Sequence, residues 1–215
     1  MKNSKFLSII PTVLVALCNN FPAMAQLGSI DKSFGNNGIE VTTFPDGQLS
    51  YSMSAITKDE SIFCTGYFGY NTDLSIIYPL IVKYTKDGTI DSSFGKSGRI
   101  LDTSKNFAYL GKSAMVIQPD GKLIIAAGNI VDTIDTYPYF DFNIVVARYK
   151  QDGSIDSSFG VNGYSSADFG LIEYATAVTL QSDGKIVVVG LSEDMNFLPN
   201  FITVRYMPDG SIDKS

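Results

Sequence analysis

The 215-residue sequence contains no histidine and no tryptophan, and it has only two cysteines. Without histidine the chain lacks the commonest general base, which excludes a Ser-His-Asp triad and most zinc sites. Cys18 lies in an apolar stretch near the N-terminus, so Cys64 has no intrachain disulfide partner once that stretch is removed. No GxSxG, HExxH, P-loop or dinucleotide motif is present either. We therefore expect a protein that is not an enzyme and that packing alone stabilises.

The charge balance is acidic, with 22 Asp and Glu against 16 Lys and Arg and a net charge of −6. No cluster of basic residues is available to neutralise phosphates, which argues against nucleic acid and anionic lipid as partners. Beyond the N-terminus no segment approaches 18 uncharged apolar residues, so we expect no membrane insertion.

The N-terminus has the layout of a secretory signal peptide. It begins with two lysines and no acid, continues with 13 mostly apolar residues at Phe6–Cys18, and reaches Ala-Met-Ala at Ala25. This pattern predicts a signal peptide over residues 1–25 and a secreted, extracellular or cell-surface protein. A lipoprotein anchored at Cys18 is the weaker alternative, because the bulky Leu17 precedes that cysteine.

One phrase recurs along the rest of the chain. It reads LGSIDKSFG at 27–35, DGTIDSSFG at 87–95, DGSIDSSFG at 152–160 and DGSIDKS at 209–215, with periods of 60, 65 and 57 residues between Ile-Asp pairs. A fixed period of this length predicts a repeat architecture. The sequence divides into repeats at about 30–89, 90–154 and 155–211, with the start of a further repeat at 212–215.

Each period holds four short apolar runs separated by turn signals. The second repeat places them at Arg99–Asp102, Ser113–Gln118, Lys122–Ala127 and Phe142–Tyr149. Valine, isoleucine and tyrosine dominate these runs and Asp-Gly dipeptides punctuate them, which predicts β-hairpins. In the first repeat Asp59-Glu60 replaces Asp-Gly, so we expect a different type of turn there.

Four short antiparallel strands per period predict an all-β fold, a β-propeller-like array of four-stranded blades. A stacked β-solenoid competes, although its rungs are usually shorter. About three repeats are too few to close a ring, since closed propellers have at least about four blades. We therefore expect an incomplete ring that needs downstream blades or a homo-oligomer.

The motifs resemble a known family. DGxIDxSFG, followed by QPDGKLIIAAG or QSDGKIVVVG and a strand ending in Arg-Tyr, is similar to the delta-60 repeat, and the resemblance runs from about Leu27 to Ser215. It implies a propeller-like β-fold in secreted bacterial proteins. It implies no established catalytic activity and no set of ligand-binding residues.

Recurring residues are expected to be structural first. The motif phenylalanine would pack between blades and the glycine after it would bend the backbone; these residues are Phe34, Phe94, Phe159, Gly35, Gly95 and Gly160. The basic residue near each repeat's last strand end would pair with the repeat's own carboxylates or with backbone carbonyls. The residues concerned are Lys83, Arg148 and Arg205, with Asp91 and Asp156.

Two pairs of carboxylates flank turns and are weak candidates for a calcium site, namely Asp87 with Asp91 and Asp152 with Asp156. Asp-Gly is also the default turn dipeptide, so no metal or other cofactor is expected. Paired carboxylates could equally serve a polysaccharide hydrolase, which is the third functional hypothesis.

Most length variation falls between the third and fourth runs, where the connections span 18, 21 and 16 residues. These loops are rich in aromatic and acidic residues, and loops of this kind often carry binding sites. We predict a scaffold that binds a glycan or a protein through them; the candidate residues are Phe68, Tyr70, Tyr78, Asp135, Tyr137, Tyr139, Phe140 and Phe197. The alternative is a purely structural spacer or assembly module in which these side chains cap the blade edge.

Overall fold

The computed structural model describes residues 29–44, 47–70, 73–104, 113–133, 140–170, 172–193 and 198–215. The chain divides into a short unit, Met1–Asp31, and a larger one, Lys32–Ser215, which contains the strands of the described residues. Within the described ranges, no helix has the length and apolar character needed to cross a membrane.

The described residues of the larger unit form eleven β-strands. In chain order they are β1 (Gly47–Ile56), β2 (Ile62–Tyr70), β3 (Asp73–Tyr84), β4 (Arg99–Leu101), β5 (Ser113–Ile117), β6 (Leu123–Thr133), β7 (Phe140–Tyr149), β8 (Tyr164–Ala167), β9 (Ile172–Leu180), β10 (Ile186–Glu193) and β11 (Pro199–Tyr206).

These strands form three antiparallel meanders. Blade A is β1-β2-β3-β4 and blade B is β5-β6-β7-β8, while blade C contains β9, β10 and β11. A single parallel bridge between Phe142 and Ile172 links blades B and C into one formal sheet. The predicted all-β array of antiparallel blades is confirmed, and the sheets do not close into a ring among the described residues.

The short strand of each repeat belongs to a different blade from the one expected. The sequence grouped Arg99–Asp102 with the hairpin that follows, but β4 pairs with β3 of the preceding repeat, with Leu80 opposite Leu101. β8 pairs in the same way with β7, with Val145 opposite Ser166. The reason is local: the motif between the two strands folds the chain back onto the strand that it has just left.

The turn at Asp59-Glu60 also differs from expectation. The turns at 57–61 and 118–122 are closed by the same backbone hydrogen bond, from the first N–H to the last carbonyl, at 2.9 and 2.8 Å. Glu60 has a φ of 63° where Gly121 has 80°. Both are type I turns followed by a left-handed residue, so the prediction of a different turn type is wrong, and Glu60 adopts a conformation that favours glycine.

Apolar side chains fill the spaces between the blades. Phe94, 1% exposed, joins Phe63 and Ile81 of blade A to the facing strands of blade B. Phe159, fully buried, packs where blade B meets blade C. The expected packing of the motif phenylalanine is confirmed for these two residues, whereas Phe34 is half-buried.

A backbone hydrogen bond recurs at every junction. The N–H of Gly35 donates to the carbonyl of Asp87 at 2.7 Å, and the same bond joins Gly160 to Asp209 at 2.7 Å. Gly95 and Asp152 repeat it at 2.8 Å. Each motif thereby binds the Asp-Gly turn of the following repeat. The glycines are required: a Cβ on Gly160, at φ +51°, would lie 2.1 Å from the Tyr164 carbonyl oxygen.

Candidate functional site: the junction of blades B and C

Arg148, at the end of β7, is the centre of a buried charged cluster. Its Nε atom lies 2.8 Å from Oδ2 of Asp156, and Nη2 donates to Ser158 Oγ at 3.1 Å. Nη1 donates to the Pro208 carbonyl of the next repeat at 2.7 Å. The guanidinium also stacks over the Phe159 ring, 4.7 Å from its centroid.

The same pairing recurs in the other two blades, as the sequence predicted. Lys83 lies 2.8 Å from Asp91, and Arg205 lies 2.7 Å from Asp213. Hydrogen bonds from Lys83 and then Ser93 lower the pKa of Asp91 to about 2. All three recurring cations therefore neutralise a carboxylate of the motif copy that directly follows them in the chain.

Burial acts to raise the pKa of Asp156, but it is outweighed by hydrogen bonds from Ser158 and Lys122 and by the charge of Arg148. The pKa of this carboxyl is thus held well below its usual range, and the side chain stays ionised. Lys122 reaches it from the neighbouring strand at 3.2 Å.

The weak calcium candidates are engaged inside their own turns and ion pairs. Asp152 accepts hydrogen bonds from the backbone and hydroxyl of Ser154 at 2.8 and 2.7 Å, and Asp87 accepts one from Thr85. Asp91 and Asp156 carry the ion pairs described above. Among the described residues, no group of three or more Asp, Glu, Cys or His side chains could hold a metal ion.

A second buried cluster centres on Asp102, directly after β4. Its Oδ2 atom accepts hydrogen bonds from the hydroxyls of Tyr149 and Tyr164, both at 2.6 Å, while Oδ1 accepts one from Ser104 Oγ at 2.6 Å. Burial, the larger cause, and the nearby carboxylate raise the pKa of Tyr149 well above its usual value. The cluster therefore holds one charged carboxylate and two neutral phenols.

The Asp102 cluster could not be predicted from the sequence, because the partner of the strand-end tyrosine changes from one repeat to the next. Tyr84 donates its hydroxyl to Thr42 at 2.7 Å, and Thr42 and Asp102 hold the same position after the motif. In the third repeat that position is Ala167, and the buried hydroxyl of Tyr206 has no hydrogen-bond partner among the described residues. Only the repeated strand-end tyrosine was available as a signal.

An open groove of about 710 Å³ lies next to this cluster, where blade B meets the end of blade C. Its polar lining residues include Ser104, Asn129, Asn162 and Tyr164, together with the turn at 209–211. Val145 and Val161 supply apolar surface, and among the described residues no lysine or arginine lines the groove. Such a lining offers hydrogen bonds and apolar contacts to an uncharged polar ligand.

The aromatic residues predicted to bind a ligand through the loops between the third and fourth runs are not all exposed. Phe68 is 6% exposed and packs with Leu80, Val82 and the ring of Phe44, at a centroid distance of 6.2 Å. Tyr78 is half-buried on β3. The remaining candidates are at strand ends or outside the described residues: Tyr70 ends β2 and Phe140 begins β7, while Asp135, Tyr137, Tyr139 and Phe197 lie outside.

Comparison with known proteins gives the fold but no activity. Residues 139–159 and 181–215 match the model of a family described as a domain of unknown function (DUF5122) beta-propeller. The chain is a β-propeller-like repeat protein. A crystal structure of a protein of unknown function from Dyadobacter fermentans DSM 18053 superposes with a TM-score of 0.50 at 14% identity, over 79% of this chain and 52% of the other. This chain thus spans about half the length of that neighbour. No curated protein matches.

Proposed function

We propose that the chain is a non-catalytic scaffold of delta-60-type repeats, exported by a signal peptide over residues 1–25 and displayed outside the cell. One observation supports the proposal that the scaffold is non-catalytic. In all three blades the recurring cation is paired with a carboxylate of the motif copy that follows it, as Arg148 is with Asp156. Charged groups held in this way stabilise turns and junctions, and they are not free to exchange protons with a substrate.

We propose further that the groove beside Tyr164 binds a neutral glycan. Sugar rings present apolar C–H faces and many hydroxyls, and they suit an aromatic side chain flanked by amides and carboxylates. Asn129, Asn162 and Asp209 lie in the lining, and the carboxylate of Asp209 would repel an acidic sugar.

A glycan array, followed by calorimetric titration of any ligand found, tests this function. Asn162 has a φ of 55°, so Asn162→Gly removes an amide from the groove without backbone strain. We expect this variant to lose at least about tenfold in affinity at an unchanged melting temperature. Ser97→Gly is the matched control, because Ser97 holds the same position one repeat earlier, also at φ 55°, away from the groove.

Alanine replacement of Tyr137, Tyr139 and Phe140 tests whether the ligand binds in the groove or on the loop surface. If this triple variant loses binding at an unchanged melting temperature, the loops carry the ligand and the groove does not. If it loses stability instead, the loop side chains are structural. A wild-type chain that binds no neutral glycan would favour the spacer or assembly module, and release of sugar from a polysaccharide would contradict the non-catalytic proposal.

A further inference from the structure

The groove beside blade B has a counterpart in the first repeat. Two of its lining residues, Val145 and Ser166, lie opposite each other on β7 and β8. The equivalent pair on β3 and β4 is Leu80 and Leu101, because each short strand pairs in the same register with the strand before it. The two repeats can therefore be compared position by position at this place.

In the first repeat this place is filled by aromatic side chains. Phe44 packs on Phe68 with ring centroids 6.2 Å apart, and both rings lie in the apolar cluster around Leu80. The guanidinium of Arg99 lies over the Phe44 ring, 4.9 Å from its centroid. The Phe44 ring thus occupies a space whose counterpart is open in the second repeat.

Three aromatic residues of the first repeat are replaced by smaller polar residues in the second. The equivalent positions follow from the distance to the motif phenylalanine and from the strand registers. The replacements are Ser104 for Phe44, Asn129 for Phe68 and Asn143 for Tyr78. The groove is open because Ser104 and Asn129, which line it, do not reach as far as the phenylalanine rings.

The hydroxyl groups at the groove can only accept hydrogen bonds from a ligand. Tyr164 donates to Oδ2 of Asp102 at 2.6 Å. The Ser104 hydroxyl lies 2.6 Å from Oδ1 of Asp102 and 2.7 Å from the Tyr164 oxygen. Each hydroxyl carries one hydrogen, and both hydrogens are used within this cluster. The oxygens therefore present lone pairs to the groove, and donation to a carboxylate makes the Tyr164 oxygen a better acceptor.

Two amide oxygens on the same face of blade B lack a donor. Asn129 and Asn143 lie opposite each other on β6 and β7. The Oδ1 atom of each is buried and has no hydrogen-bond partner among the described residues, and Asn143 is only 8% exposed. Buried acceptors of this kind are rare because an unmet acceptor destabilises the folded state. A ligand that donates hydrogen bonds would remove this cost at Asn129, which lines the groove.

We propose that the groove selects a sugar unit whose free hydroxyl groups donate hydrogen bonds to the oxygens of Ser104, Tyr164 and Asn129. This inference rests on the proposed glycan function and names the feature by which the ligand is recognised. Val145 supplies an apolar contact for a C–H face of the sugar ring. A site made of acceptors rejects an analogue that lacks the donor, because its own polar groups are then left unpaired.

Fluorinated sugars test which partner donates. The probes are the methyl glycosides of glucose, galactose and mannose, and derivatives in which one hydroxyl at a time is replaced by fluorine. Fluorine has nearly the size of a hydroxyl but no hydrogen to donate. In saturation-transfer NMR and calorimetric titration we expect at least one parent glycoside to bind, and fluorine at the donating positions to weaken binding at least about tenfold.

The two proposals fail in different ways in this experiment. If a parent glycoside binds and no fluorine substitution changes its affinity, the donor assignment is wrong while the glycan function stands. If none of the three parents binds, the glycan function fails together with this inference.

Ser104→Phe tests whether Ser104 determines that the site is open, because it restores the residue of the first repeat. We expect this variant to weaken binding of the parent glycoside at least about tenfold. Thr103→Phe is the matched control, since it adds the same ring one residue earlier, at a position that does not line the groove. It should bind like the wild type. Wild-type affinity in Ser104→Phe would overturn the role of Ser104.

Asn129→Leu distinguishes a binding role from a structural one. Leucine has nearly the size of asparagine, and the Oδ1 atom of Asn129 has no described partner to lose. We therefore expect an unchanged or higher melting temperature, together with at least about fivefold weaker binding of the parent glycoside. A lower melting temperature at unchanged affinity would show that the amide serves the fold, and it would overturn the proposal.

Discussion

Arg148 of blade B donates a hydrogen bond from Nη1 to the carbonyl oxygen of Pro208, which directly follows blade C, at 2.7 Å. The same guanidinium is paired at 2.8 Å with Asp156 of the motif that follows β7. One side chain therefore neutralises a buried carboxylate and joins consecutive repeats. Because each repeat buries its apolar faces only against its neighbours, contacts of this kind make the blades unfold together.

We predict that Arg148→Met destabilises the chain by roughly 3 kcal/mol, because it leaves the 4%-exposed Asp156 with only part of its compensation and leaves the Pro208 carbonyl without a partner. Arg205→Met should cost only about 1 kcal/mol, because Arg205 is 37% exposed. Urea unfolding of the two variants measures the difference. Equal losses would show that the bond to Pro208 contributes nothing.

The strands and turns could be predicted from the sequence because they depend on local chemistry. Apolar runs and the repeated Asp-Gly dipeptides predicted β5 and β7 to within two residues and the start of β6 to within one, whereas β6 continues six residues beyond the predicted end at Ala127. The ion pairs followed from a cation and an acid at fixed offsets in each repeat. The blade to which each short strand belongs could not be predicted in this way, because the pairing of β4 with β3 depends on the three-dimensional fold of the motif between them.

The Asp102 cluster leads to a second prediction. Tyr149→Phe should cost about 2 kcal/mol, because a buried hydroxyl that donates to a carboxylate at 2.6 Å is lost. Tyr206→Phe should be neutral or stabilising, because the hydroxyl of Tyr206 is buried with no partner in the described residues. Denaturant midpoints at an unchanged m-value test the pair. A destabilising Tyr206→Phe would indicate a bound water or another acceptor.

A substitution at Ala167 should supply the hydrogen-bond partner that the Tyr206 hydroxyl lacks among the described residues. Ala167→Thr places a hydroxyl where Thr42 meets Tyr84 in the first repeat, and we expect a gain of about 1 kcal/mol. In a double-mutant cycle the gain should disappear when Tyr206 is phenylalanine. If Ala167→Thr destabilises in both backgrounds, the site has no room for the added atoms, since Ala167 is only 2% exposed.

The residue that meets the strand-end tyrosine could not be predicted from the sequence. Thr42, Asp102 and Ala167 are three unlike residues at one place in the repeat, so no recurring letter marks the tyrosine's partner. Phe68 illustrates the converse, because a loop-end aromatic that suggests a binding surface is buried beside Leu80. Burial depends on the neighbouring segment, here Phe44, whose contact with Phe68 no spacing rule gives.

The hairpin turns provide a third prediction. Glu60 has a φ of 63°, a left-handed conformation that costs a non-glycine residue roughly 1 kcal/mol. Glu60→Gly should therefore raise the free energy of unfolding by about 0.5 kcal/mol, after the extra freedom of glycine in the unfolded chain is deducted. Gly121→Ala, at φ 80° in the equivalent turn, should lower it by about 1 kcal/mol. In denaturant unfolding, we expect the two variants to change the free energy of unfolding in opposite directions.

Lowering the pH should weaken the ion pair between Lys83 and Asp91. The pKa of Asp91 is lowered from 3.8 to about 2, so its ion pair contributes fully above pH 4 and is lost as the pH falls through about 2. The melting temperature of Asp91→Asn should therefore lie below that of the wild type at pH 6, and the gap should shrink steadily toward pH 2. Asp168→Asn, which alters an exposed carboxylate with no ion pair among the described residues, serves as the control. A gap for Asp91→Asn that does not change with pH would mean that the side chain acts through its hydrogen bonds to Ser93 and not through its charge.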